Sequence, residues 1–191
     1  PDGTPVIQVT TAGSAADIEA EEDLVKEVVG EVEPVDDIDL DADLEIDGKK
    51  RHVALHAPKN GYFYTLDAKT GEFISAGTFA PQNWTTGIDA KTGRPTINPE
   101  ARYEKTGKPF ISVPGAAGAH SWQPMSFSPN TGLVYIPTNI AAFPYMAQKD
   151  WKASDIGFQT GMDGATVAMP AIKEARDGAM AASTGSLIAW D

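Results

Sequence analysis

Apolar and acidic side chains alternate through residues 37–48, DIDLDADLEIDG. Ile38, Leu40, Ala42, Leu44 and Ile46 fall on one face and the carboxylates on the other, the period of a half-buried strand with a solvated outer face. The following DGKK predicts a turn, and RHVALHA a second strand running to Pro58. GYFYTL and EFISAG are rich in aromatic and β-favouring residues, and they flank Asp67-Ala68-Lys69-Thr70-Gly71. An Asp that bonds its own backbone, followed by a Gly free to take positive φ, predicts a hairpin loop. The pentapeptide recurs at Asp89–Gly93, and SPNTG at residues 128–132 follows the same logic between MSF and LVYI. Tyr62, Phe63 and Tyr64 in succession point to both faces of their strand, so both faces must be covered.

Outside these hairpins the pattern changes. Residues 1–13 hold a short strand-like stretch ending at Thr10, Thr11 and Gly13. Ser14 with Asp17 three residues on resembles a capping box, and Ile18, Val25, Val28 and Val29 share one helical face with Leu24 at its edge, predicting a helix over 15–29 stopped by Gly30. An acidic disordered arm is the alternative for the same residues. Residues 79–120 and 140–183 read as long irregular stretches rich in Gly, Pro, Ala, Asn and Thr. Loops of that length in a β protein build a site or a contact. Short antiparallel hairpins with recurring turn chemistry predict a repeat of β-sheets, and at about 40 to 50 residues per propeller blade the chain holds at most roughly four.

Charge changes the picture in one place only. The net charge of -12 comes from a local block: fifteen of the 27 acidic residues lie between Asp17 and Asp47, and the remainder is close to neutral. The block argues against nucleic acid as its partner. The alternate-position Asp residues at 37–48 do not make a calcium loop, because that loop needs Gly at its sixth position and Glu at its twelfth, where this chain has Ala42 and Gly48. Cysteine is absent, which removes disulfides, thiolate metal sites and Cys nucleophiles from this stretch, and three His without ligand spacing make no transition-metal site. No apolar run reaches the roughly 20 residues of a membrane-spanning helix, and no signal peptide is visible. Opening on Pro1 and closing on Asp191 directly after SLIAW, the chain reads as a stretch of something longer.

Three strings carry more than fold. APKNGYFYTLDAKTGEFISA, GAHSWQPMSFSPNTGLVYIPTN and GSLIAWD, in that order, resemble the quinoprotein alcohol dehydrogenases over about residues 40–191. These enzymes use pyrroloquinoline quinone (PQQ) on an eight-bladed β-propeller. The resemblance implies an all-β fold: residues 34–191 form an open arc of antiparallel blades, part of an eight-bladed β-propeller, and residues 1–33 form an acidic helical segment outside the family. It implies oxidation of a primary alcohol by hydride transfer to the quinone, with calcium as the metal, a small alcohol as substrate, an electron acceptor such as a cytochrome c, and a periplasmic location. A noncatalytic β-propeller scaffold is the alternative, and an acidic interaction module resting on residues 17–47 is a third reading.

Residue by residue, the resemblance implies that the lysine of APKNG, Lys59, lies beside the quinone oxygens, where a long cation stabilises charge on reduction. It implies cofactor contact for Ser121 and Trp122. The family has Asn where this chain has Ser121, whose hydroxyl is shorter and offers one donor. Read from the residues alone, Lys59 is a solvated turn lysine, and Trp122 is as much a packing residue as a cofactor wall. His56 and His120 read as hydrogen-bonded structural histidines, Trp84 as a loop residue near the site mouth, and Trp190 as blade packing. The family's catalytic aspartate sits in a WDY-like segment about ten residues before the ADLEIDG strand. Glu31-Val32-Glu33 stands there, and Asp36 or Asp37 serves only with a shifted alignment. The catalytic base is therefore unassigned, and the calcium ligands are expected outside this chain.

Overall fold

The acidic alternation becomes strand β2 (Asp39–Ile46), and β3 (Lys49–His56) folds back on it through a two-residue turn, with Asp39 opposite His56 and Ile46 opposite Lys49. Asp47 and Gly48 both take positive φ, 51° and 72°, the geometry that matches the twist of a hairpin. The computed structural model describes residues 7–11, 39–153, 155, 159–163, 173–174, 177–178 and 183–191. The helix expected over 15–29, and with it Asp36 and Asp37, lies outside the described residues.

Strands β4 (Tyr62–Asp67) and β5 (Phe73–Thr78) complete a four-stranded antiparallel sheet in the order β2-β3-β4-β5. Next in the chain come β6 (Thr85–Ile88) and β7 (Pro95–Ile97), which pair as a ribbon. A 3₁₀ turn (Pro99–Ala101) and a single helical turn (Tyr103–Thr106) lead to β8 (Phe110–Ser112). Strands β9 (Ser126–Ser128), β10 (Leu133–Ile140), β11 (Phe143–Tyr145) and β12 (Thr184–Trp190) follow. Residues 79–120 are thus less irregular than their composition predicts: the Asp89–Gly93 turn and Pro95 give β6 and β7 a hairpin, and β8 finds its partner in β11.

The second four-stranded sheet runs β1-β12-β10-β9, where β1 (Ile7–Thr11) is the short strand read near the start of the chain. It pairs antiparallel with β12, Ile7 opposite Ala189 and Thr11 opposite Gly185. One strand of the amino-terminal segment is therefore hydrogen-bonded into the β part.

The apolar faces of the two large sheets meet in one core. Leu40, Ala42, Val53, Leu55 and Phe63 come from the first sheet, and Val134, Ile136, Ile188 and Trp190 from the second. Alternation explains the set: along β10, Val134, Ile136 and Thr138 are buried while their neighbours are half-buried. Trp190 is the packing residue its position predicts. Its ring lies 5.7 Å from that of Phe63, and a Cβ on Gly77 would stand 2.6 Å from the indole, so only glycine fits there.

The recurring pentapeptide is a built loop. In the first copy Asp67 Oδ1 accepts from the amides of Lys69 (3.1 Å) and Thr70 (2.9 Å) and from the Thr70 hydroxyl (2.9 Å). The Thr70 oxygen accepts in turn from the Glu72 amide at 3.2 Å. Asp89 and Thr92 repeat this arrangement, and Gly71 and Gly93 close the two loops at φ 72° and 68°. The third copy keeps the Gly132 amide to Ser128 carbonyl bond and positive φ, and Thr131 again accepts from the residue after the glycine.

Candidate functional site

Lys59 lies in residues 57–61, which connect β3 to β4. Asn60 makes that connection turn: its Oδ1 accepts the Tyr62 amide at 2.9 Å, and its amide nitrogen donates to the Tyr64 hydroxyl at 3.0 Å. Burial pushes the Tyr64 phenol above its ordinary pKa, against the pull of the Asn60 bond. Gly61 takes φ 88° and accepts the Phe79 amide at 3.0 Å, which ties the loop to the end of β5.

A second loop, residues 118–125 before β9, is laid against the first. The Ala119 amide donates to the Lys59 carbonyl at 3.0 Å. Gly118, at φ 84°, lies so close to the lysine stem that a Cβ there would stand 2.5 Å from Lys59 Cγ. His120 is 1% exposed, with Nδ1 2.6 Å from the Ala57 carbonyl and Nε2 2.7 Å from the Gln123 carbonyl. His120 is thus the hydrogen-bonded structural histidine expected from its sequence position. The Ala119 carbonyl accepts the Asn139 amide at 2.6 Å, which fixes this loop to β10.

A third contact comes from residues 82–85. The Trp84 indole N–H donates to the Asn60 carbonyl at 2.8 Å. Its ring meets Tyr62 edge-on at 6.3 Å, and Gln82 donates to the Tyr62 hydroxyl at 3.1 Å. Three of the four carbonyls of residues 57–60 are therefore bonded from two other loops.

The side chains that the sequence singles out stay outside this web. Lys59 is exposed and, among the described residues, makes no ion pair or side-chain hydrogen bond. Trp122 is 82% exposed, far more than a packing tryptophan. Ser121 is half-buried. An uncommitted cation and a bare indole, three residues beyond the Ala119–Lys59 bond, suit a flat anionic ligand: one supplies charge, the other a stacking face. Among the described residues no three His, Asp or Glu side chains gather as a metal cage.

A cleft of about 650 Å³ opens elsewhere between the large sheets, lined by residues that include Leu44, Glu45, Asp47, Phe127 and Trp190. It sits at the β2–β3 turn, whereas Lys59 follows the opposite end of β3. The cleft lining includes none of the three sequence-assigned residues Lys59, Ser121 and Trp122.

The loop contacts of Trp84 and His120 were not legible from spacing. Both residues stand out in the sequence, but each bonds a backbone carbonyl, and a carbonyl leaves no mark on side-chain pattern.

Two antiparallel sheets thus pack face to face, and the Lys59 loop is held by backbone and side-chain donors from two other loops. No family model matches the chain. It is 45% identical over 150 residues to the dehydrogenase subunit of an alcohol dehydrogenase (quinone) from Komagataeibacter europaeus, covering 78% of this chain and 20% of that protein. It is 45% identical over 158 residues to the quinohemoprotein alcohol dehydrogenase ADH-IIG of Pseudomonas putida, covering 78% of this chain and 21% of that one. The solved structure of ADH-IIG superposes with a TM-score of 0.63 at 46% identity over 65% of this chain and 19% of its own. That of the Comamonas testosteroni quinohemoprotein alcohol dehydrogenase gives 0.56 at 48% identity over 60% of this chain and 17% of its own. The chain is a partial homologue of the PQQ-dependent quinohemoprotein alcohol dehydrogenases, and it spans about a fifth of the length of the curated relatives it matches.

Proposed function

We propose that this chain is a segment of a PQQ-dependent alcohol dehydrogenase, with residues 34–191 an open arc of an eight-bladed propeller and residues 1–33, apart from β1, outside it. The parent oxidises a small primary alcohol, passes the electrons to an acceptor such as a cytochrome c, and works in the periplasm. What supports this reading most is the bond between the Ala119 amide and the Lys59 carbonyl, which joins the loops that carry two of the family-like strings, with the Lys59 and Trp122 side chains both exposed. PQQ, when bound, supplies the hydride acceptor. Lys59 would hold the quinone oxygens and supply positive charge to them, Trp122 would offer an aromatic face, and Ser121 would offer one hydroxyl donor. The held loop carbonyls keep the ammonium from needing to reorganise during the reaction.

The described residues do not fit calcium, since no cage of carboxylates forms among them. No step is assigned to calcium or to a general base in this chain.

The reading is tested by grafting residues 40–191 in place of the matching segment of the Pseudomonas putida ADH-IIG enzyme. The graft is expected to retain PQQ and alcohol-dependent dye reduction. A folded graft that holds no quinone would favour the scaffold reading instead.

A further inference from the structure

We propose that Trp84 is a positioning residue for Lys59, a role that rests on the quinone-side reading of that lysine. The indole N–H meets the carbonyl of Asn60, the residue directly after Lys59, at 2.8 Å. On its other side the same short loop is held by the Ala119 amide at the Lys59 carbonyl, 3.0 Å, and by His120 at the Ala57 carbonyl, 2.6 Å. Those two bonds come from one loop. Trp84 is the only contact among the described residues that grips the Asn60 carbonyl, and it pulls from a different part of the chain.

Trp84 is itself well placed to act as a fixed point. Its ring lies edge-on to Tyr62, 87° between planes, and Tyr62 is 5% exposed. The next residue, Thr85, is buried, and its amide donates to Gln82 Oε1 at 3.2 Å. Its hydroxyl donates to the Thr96 carbonyl at 2.6 Å. The indole is therefore anchored to the β6–β7 ribbon while its N–H points at the lysine loop. Lys59 has a long flexible stem, and the backbone from which it springs decides how much of its reach is spent finding the right place. Without the indole bond, the Asn60 carbonyl loses its partner and the peptide between Lys59 and Gly61 gains freedom.

Trp84→Phe isolates this bond, because it keeps an aromatic ring on Tyr62 and removes the N–H. In the 191-residue chain, trypsin cleavage after Lys59 is compared with cleavage after Arg51, which lies within β3. The substitution is expected to raise cleavage at Lys59 roughly fivefold over that at Arg51, the ratio equivalent to about 1 kcal/mol for one lost hydrogen bond. Equal acceleration at both sites, or none at either, overturns the proposal.

In the ADH-IIG graft, Trp84→Phe is expected to lower kcat several-fold with the alcohol KM unchanged, and to add nothing once Lys59→Ala is present. An equal loss in both backgrounds would show that Trp84 acts through something other than Lys59, and so overturn the positioning role while leaving the lysine's own role intact. Full activity of Lys59→Ala alone would instead overturn the underlying reading, whatever the protease result.

Discussion

The Ala119 amide donates to the Lys59 carbonyl across 3.0 Å, and with this bond two loops far apart in sequence become one surface. The side chains proposed to meet the cofactor, Lys59 and Trp122, stand on these two loops. Lys59 follows β3, Trp122 precedes β9, and the sheets that carry them pack through the Phe63–Trp190 contact. The core thus sets the distance between sheets, and the loop bond sets the register of the site.

The first prediction concerns that core. Gly77 faces Trp190 so closely that any side chain collides with the indole. Gly77→Ala is expected to cost about 1 to 3 kcal/mol, the usual range for overpacking. Urea denaturation measures it, and Trp190→Phe in the same chain should restore part of the loss by vacating the space.

A pair of glycines separates strain from collision. Gly48 and Gly118 both take positive φ, but a Cβ on Gly48 meets nothing within 4 Å, whereas one on Gly118 runs into the Lys59 stem. Gly48→Ala should cost about 1 to 2 kcal/mol for the left-handed backbone alone. Gly118→Ala should cost clearly more in the same thermal melts. Equal losses would mean that the Lys59 stem moves aside freely.

The pentapeptide loops carry a pH dependence. The Thr70 amide and then its hydroxyl hold the Asp67 carboxyl below its ordinary pKa, and the Thr92 hydroxyl and then its amide do the same for Asp89. A carboxyl lowered in the folded state stabilises the fold above its unfolded value, about 3.9, and loses that contribution as pH falls through the folded value. The Asp67→Asn, Asp89→Asn double variant should therefore lie below the parent chain in urea midpoint at neutral pH. The gap should close well below about pH 3.9. A gap that persists in acid would assign the effect to loop geometry and not to charge.

Much of the fold was legible because its signals are local. Alternation at Leu40, Ala42 and Leu44 gave β2, and the Asp and Gly of each pentapeptide gave two hairpins. The sequence reading gave roles only to the aspartate and the glycine, yet the threonine bonds both the aspartate and the residue beyond the glycine. The ribbon pairing of β8 with β11 was missed, since three-residue strands far apart in sequence have too few positions to show a period. The resemblance supplied Lys59, Ser121 and Trp122 as a set, but spacing alone left each with an ordinary structural role. What holds the lysine loop against its neighbours is hydrogen bonding to its backbone carbonyls, from the Ala119 amide to Lys59 and from the Trp84 indole to Asn60, and a carbonyl acceptor is written in no residue type.

The central claim is that Lys59 projects from a clasped loop to stabilise charge on a bound quinone. The most direct measurement is the alcohol-dependent dye-reduction rate of the ADH-IIG graft with Lys59→Ala, at matched PQQ content and matched melting temperature. Loss of one donor to a developing oxyanion costs roughly 10² to 10³ in kcat, and a fall of that order is the result expected. A Lys59→Ala graft that turns over at the parent rate, with quinone bound, would contradict the account.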